Sequence, residues 1–332
     1  MVQRIILIHG RSTKPCKRVH AKLLKSALLQ GLNRVSAKAA KKVSNGSIKL
    51  NFVYYGDINN DILARTSDRH KKMLTAKDPD FSNVPCLPED GFQQSIDALA
   101  AFKRFDKRAY KRILRENEDS RLLDSAARAV STIAAITTAT LLNEFAIKKA
   151  TADMGAYLMR RSVGSAVRER LQSPLRTALQ KGDDVCLISH SMGCMVSYDV
   201  LWKFSRMSEY RKVRENGNRV KRWITLGCPL GEAGVKANLY DANERNQQDG
   251  TDKHPKDIVD QWENIAAVDD FISHDATMRD DFRAMLKYEH LKGIRDQKIY
   301  NCWAMDGKSN PHKFYGYLAH PVTADIVARW IK

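Results

Sequence analysis

The segment VCLISHSMGCMVSYDV, residues 185–200, holds the residue best placed to do chemistry in this chain, Ser191. An apolar run leads into Ser189-His190-Ser191-Met192-Gly193, and a helix with Val196 and Val200 on one face follows. A serine at the apex of a strand–turn–helix is a nucleophile elbow, in which a sharp turn pushes the hydroxyl out beyond the sheet. The residues two before and two after it must be small, as Ser189 and Gly193 are. The following helix N-terminus would place the backbone N–H of Met192 where an oxyanion develops. Such a serine needs an imidazole to take its proton and a carboxylate to hold that imidazole. Two late histidines are available, His312 and His320, and the run from Trp262 to Ile272 contains two adjacent carboxylates, Asp269 and Asp270.

At these residues the sequence resembles the lipase/esterase-like α/β hydrolases, with Ser189 standing where that family usually has glycine. Ile5-Leu7-Ile8-His9-Gly10 looks like the family's oxyanion-loop strand. The resemblance implies a second oxyanion donor just after His9, at the N–H of Gly10 or Arg11, with His9 itself stabilising the turn. Gly227-Cys228-Pro229-Leu230 looks like the Gly-Ser-Pro-Leu turn of many lipases, with Cys228 replacing serine and read as structural. The family places its acid at the end of the next strand, before an apolar pair. That alignment favours Asp269 and leaves Asp270 as the alternative. His312, on a loop leading into Gly316-Tyr317-Leu318, resembles the catalytic histidine, whereas His320 before Pro321 suits the start of the last helix. His274 and His290 lie in charged contexts and are expected to be solvated. The order Ser191, Asp269, His312 is the order in which this fold strings its triad.

The implied activity is hydrolysis of carboxylic esters, of lipid or long-acyl type, through an acyl-enzyme on Ser191, with no cofactor or metal. Two other readings stand beside it. One is an acyltransferase using the same triad; the other is a non-catalytic binding protein acting through a basic surface.

The elements that must position these residues follow from periodicity. Residues 3–8 read as a buried strand, His20 to Lys42 as a helix, Asn45-Gly46 as a turn, and residues 48–54 as a second strand. From residue 184 strands and helices alternate. Strands are expected at 185–189, 222–226, 263–268 and 299–305, with helices at 195–204 and 322–331. Alternation of this kind predicts an α/β fold with a mostly parallel sheet flanked by helices. The resemblance makes this an α/β-hydrolase core of residues 1–56 and 181–332. Residues 57–180 are expected to form a predominantly helical insertion serving as a cap. Within it lie a basic stretch at 103–121 and an uncharged stretch at 129–142 that could line an apolar channel.

The chain has 332 residues and a net charge of +18, which favours anionic partners such as a membrane surface. Without zinc-finger spacing, an RNP-like motif or a helix-turn-helix, a nucleic-acid function is not expected. The six cysteines form no CxxC pair and are expected to be reduced. The apolar run Ile5 to Ile8 is too short for a signal peptide, and no stretch is long enough to span a membrane. A soluble, cytoplasmic protein is therefore expected.

Overall fold

Six strands form one wholly parallel sheet in the order β2-β1-β3-β4-β5-β6. They are β1 (Gln3–Ile8), β2 (Lys49–Val53), β3 (Asp184–His190), β4 (Val220–Leu226), β5 (Gln261–Ala267) and β6 (Gly293–Ile299). The computed structural model describes every residue except 67, 69–90, 118–151, 216, 241–252, 274 and 332. The uncharged stretch at 129–142 and His274 lie outside the described residues.

Parallel strands covered on both faces must be apolar throughout, because every side chain goes into a core. In β1, Ile6 and Ile8 enter one buried cluster, and Ile5 and Leu7 enter the other. In β3, Val185 and Leu187 join the first cluster, Cys186 and Ile188 the second. Burying each such Leu or Ile stabilises the fold by about 1.5–3 kcal/mol.

The helices follow from the same clusters. On the second face lie α1 (Lys17–Val35) and α2 (Ala37–Ser44), both contributing to that core. The expected single helix breaks at Ser36, whose backbone is extended and whose side chain accepts from the Ala39 N–H to cap α2. Beyond β2 come α3 (Gly56–Thr66), α4 (Phe92–Ala101), α5 (Lys107–Glu116), α6 (Ala152–Met159) and α7 (Arg161–Gln180). After β3 comes α8 (Met192–Arg206), and the chain closes with α9 (Phe314–Ala319) and α10 (Pro321–Trp330).

Two expectations change. Helix α7 is part of the sheet's core and not of a separate cap: Val167, Leu171, Leu175 and Leu179 are fully buried in the cluster that holds Ile6, Ile8 and Leu187. Their spacing of about one turn makes a single apolar stripe, which must face the sheet. The last strand of the sheet is Gly293–Ile299, and not 299–305; beyond Ile299 that range holds only Ala304–Met305 as strand, one arm of a small hairpin with Lys308–Ser309. β6 is an edge strand, so it tolerates Arg295, Asp296 and Lys298 and lacks the apolar signature of its neighbours.

The connections out of β1 and β3 lead to opposite sides. β1 runs through α1 and α2 to β2, and β3 runs through α8 to β4. Adjacent strands that diverge in this way open a crevice beyond their carboxyl ends, where ligands bind in open α/β sheets. His9-Gly10 and Ser191 are the residues that follow those two ends. No helix among the described residues is long and apolar enough to cross a membrane. Cys16 is disulfide-bonded, against the expectation of six thiols, whereas Cys186, Cys194, Cys228 and Cys302 are free and buried. Cys16 sits at the start of α1 and outside the apolar runs that hold the other four.

Candidate active site

Ser191 occupies a backbone conformation that L-residues rarely adopt, φ 55° and ψ −127°, between the last residue of β3 and the first turn of α8. Such a conformation costs about 1–3 kcal/mol and persists only where the surroundings hold it. The holding contacts are specific. The Ser191 N–H donates to Leu226 O (3.0 Å), and the Cys194 N–H donates back to Ser191 O (2.8 Å).

Gly193 has to be glycine. A Cβ there would lie 2.6 Å from His9 O and 3.0 Å from Ile8 O, both backbone atoms that cannot give way. Gly10 is equally constrained, since its Cβ would lie 2.6 Å from Ser191 Cβ. Ser189 is accommodated because its hydroxyl is used: Trp223 Nε1–H donates to it (3.1 Å), and it shares a hydrogen bond with Ser197 (2.7 Å).

Two backbone segments flank the serine. Met192 opens α8, so its N–H has no acceptor within the helix. On the other side Gly10 brings the β1 loop into contact with Ser191. That loop is held by buried side chains. The Tyr55 N–H donates to His9 Nε2 (3.1 Å), so the proton is on Nδ1, which donates to Gly10 O (2.7 Å). Burial first, and then the Lys14 charge, push the His9 pKa well below its usual value. His9 is therefore a neutral turn-stabilising residue.

Asp153, on α6 and fully buried, accepts from the Ser12 N–H (2.5 Å) and pairs with Arg11 (3.4 Å). Lys14 Nζ donates to the carbonyls of Arg11 and of Ser12 (3.2 Å). The sequence reading missed Asp153, which lies about 140 positions from the loop it holds and belongs to no local pattern.

His312 lies at the same end of the sheet. Its Nδ1 donates to both oxygens of Asp270, at 2.9 and 2.8 Å. Its Nε2 is buried and has no hydrogen-bond partner among the described residues, Ser191 Oγ included. The expected acid, Asp269, is not the residue that pairs with His312. β5 ends at Ala267, and Asp269 takes a left-handed turn position (φ 64°) that leaves it exposed. The turn closes through the Asp270 N–H to Ala267 O (3.2 Å) and swings Asp270, which is buried, under the imidazole.

Burial acts to raise the Asp270 pKa. The opposing His312 charge, hydrogen bonds from His312 and Tyr317, and the Ile272 N–H outweigh it and hold the carboxyl below its ordinary value. Tyr317, which the sequence reading placed only in the stretch after His312, accepts from the Ala267 N–H (2.8 Å) and donates to Asp270 Oδ2 (2.6 Å).

The serine and histidine halves are joined by two contacts. His190 Nε2–H donates to His312 O (2.8 Å), and its ring stacks on Phe314 at 4.7 Å. Gly227, at φ 55°, packs under the acid and base. A Cβ there would lie 2.9 Å from Asp270 Oδ2 and 3.0 Å from His312 Nδ1. Cys228, next to it, is a buried free thiol, in keeping with a structural part. His320 stands apart: it caps α10, its Nδ1 accepting from the Val322 N–H (3.2 Å), and burial lowers its pKa to about 3. His290, expected to be solvated, is buried.

No family model, curated protein or solved structure matches the chain. Among the described residues no group of three or more His, Cys, Asp and Glu side chains could hold a metal ion. The arrangement at the ends of β1, β3 and β5 therefore has to be read on its own chemistry. It offers a serine held in a strained turn, an imidazole whose Nε2 has no partner among the described residues, a carboxylate fixed behind it, and a helix N-terminus beside the serine.

Proposed function

We propose that this chain is a serine hydrolase of the α/β-hydrolase type that cleaves carboxylic esters through an acyl-enzyme on Ser191. The observation that carries the reading is a strained apex serine at the same end of the sheet as a histidine whose Nδ1 is committed to Asp270 and whose Nε2 has no partner among the described residues. Catalytic hydrogen bonds are often long before substrate binds, so an open gap between Oγ and Nε2 suits an unliganded site.

In the first half-reaction Ser191 Oγ attacks the ester carbonyl carbon and its proton passes to His312 Nε2. The oxyanion is met by the N–H of Met192 and by an N–H of the β1 loop, at Gly10 or Arg11. Collapse expels the alcohol, which takes the proton from His312. Water, deprotonated by the same nitrogen, then attacks the acyl carbon; the bond to Ser191 Oγ breaks, Oγ takes the proton back from His312, and the acid is released. Asp270 stabilises the imidazolium formed in each half and does not itself take the proton.

Hydrolysis of p-nitrophenyl esters of increasing acyl length tests this. The wild-type chain should turn over at least one ester, and Ser191→Ala should lower kcat by on the order of 10⁶-fold. Equal rates in the two proteins would remove the proposal. If an added alcohol is acylated in preference to water, the same triad serves acyl transfer instead.

A further inference from the structure

A cavity of about 630 Å³ is lined by residues between 101 and 115 in the α4–α5 region, none of which belongs to the serine and histidine site. Five cations face it: Lys103, Arg104, Arg108, Arg112 and Arg115. Its single acid, Asp106, is already used, since its carboxylate accepts from the Ala109 N–H (2.9 Å) to cap α5. Arg112 pairs with Glu116 (3.6 Å) and lies over the Phe102 ring (4.6 Å). Lys103, Arg104, Arg108 and Arg115 have no acidic partner among the described residues.

Arg108, Arg112 and Arg115 are spaced by about one turn and so form one stripe along α5, while Tyr110 and Ile113 are buried on the opposite side. Like charges held side by side around a concavity destabilise the fold unless an anion neutralises them. Three guanidinium forks around a volume typical of small-molecule sites match the oxygens of a phosphate group. The charges surround a pocket and do not run as an extended track, which suits a single phosphate-bearing group better than a nucleic-acid backbone.

We propose that this cavity is a binding site for a phosphate-bearing anion, either a soluble phosphate compound or the headgroup of a phosphomonoester lipid. The site stands whether or not Ser191 is a nucleophile. Its place in the fold ties it to the acid loop: Tyr110, on the other side of α5, has its pKa raised first by burial and next by the neighbouring Asp269 carboxylate.

The test uses the full chain and three probes: pyrophosphate by calorimetry, and vesicles of phosphatidylcholine carrying either phosphatidic acid or phosphatidylserine at equal charge. The variant is Arg108→Gln/Arg112→Gln/Arg115→Gln, all at exposed positions. The control removes the same charge from α1, as Lys17→Gln/Arg18→Gln/Lys22→Gln. Saturable binding of pyrophosphate, or of phosphatidic acid vesicles in preference to phosphatidylserine, should weaken by more than about tenfold in the α5 variant. In the control it should stay within about twofold of wild type. A response to pyrophosphate marks a soluble ligand; a response to phosphatidic acid vesicles alone marks a lipid headgroup. Equal losses in both variants, or no preference between the two lipids without pyrophosphate binding, would overturn the proposal.

Discussion

Asp270 and Asp269 are adjacent in sequence and differ in everything that matters for catalysis. One is buried with His312 and Tyr317 on its oxygens, and the other is exposed in a left-handed turn. Asp270→Asn would present an amide to Nδ1 and favour the wrong tautomer, so kcat/KM for ester hydrolysis should fall by about 10⁴-fold. Asp269→Asn should leave it close to wild type. The reverse pattern would show that the acid has been misassigned. No sequence pattern separates the two carboxylates, because the difference is the sign of one φ angle. Nor could sequence show Asp153, Gly227 or Tyr317, whose roles exist only through partners far along the chain.

At the scale of elements, the piece most legible in sequence was β3 with its turn and α8, where an apolar run meets small residues and then a helical stripe. β1 was legible for the same reason, being apolar on both faces. β6 was not, because an edge strand carries charges in place of an apolar run. Helix α7 was read as part of a cap because its many arginines masked the stripe of Val167, Leu171, Leu175 and Leu179. That stripe makes a prediction. Leu171→Ala should destabilise the whole molecule by about 2–5 kcal/mol, seen as a lower urea midpoint in one cooperative transition. A separate early transition, with the main one unmoved, would show that α7 belongs to a detachable unit.

For the molecule as a whole, the buried histidines set the response to acid. His9, His20, His190 and His320 all have pKa values lowered chiefly by burial, so the folded chain keeps them neutral. The unfolded chain takes up their protons near pH 6.5. Stability is therefore full above that pH and declines below it, for His320 down to its folded value of about 3. His320→Asn keeps an acceptor at the α10 cap and removes one titrating group. Between pH 6 and 5 its stability should decline less steeply than wild type, by up to about 1.4 kcal/mol per pH unit. Parallel declines in denaturation experiments at the two pH values would contradict this.

Catalysis as proposed needs one hydroxyl among the chain's many serines to be a poised nucleophile. Reaction of the native protein with a fluorophosphonate, followed by peptide mass spectrometry, tests it most directly. A single phosphonylated residue is expected, Ser191, with labelling abolished in Ser191→Ala and strongly slowed in His312→Ala. A folded wild-type protein that resists the reagent, or a Ser191→Ala variant that is labelled as fast as wild type, would contradict it.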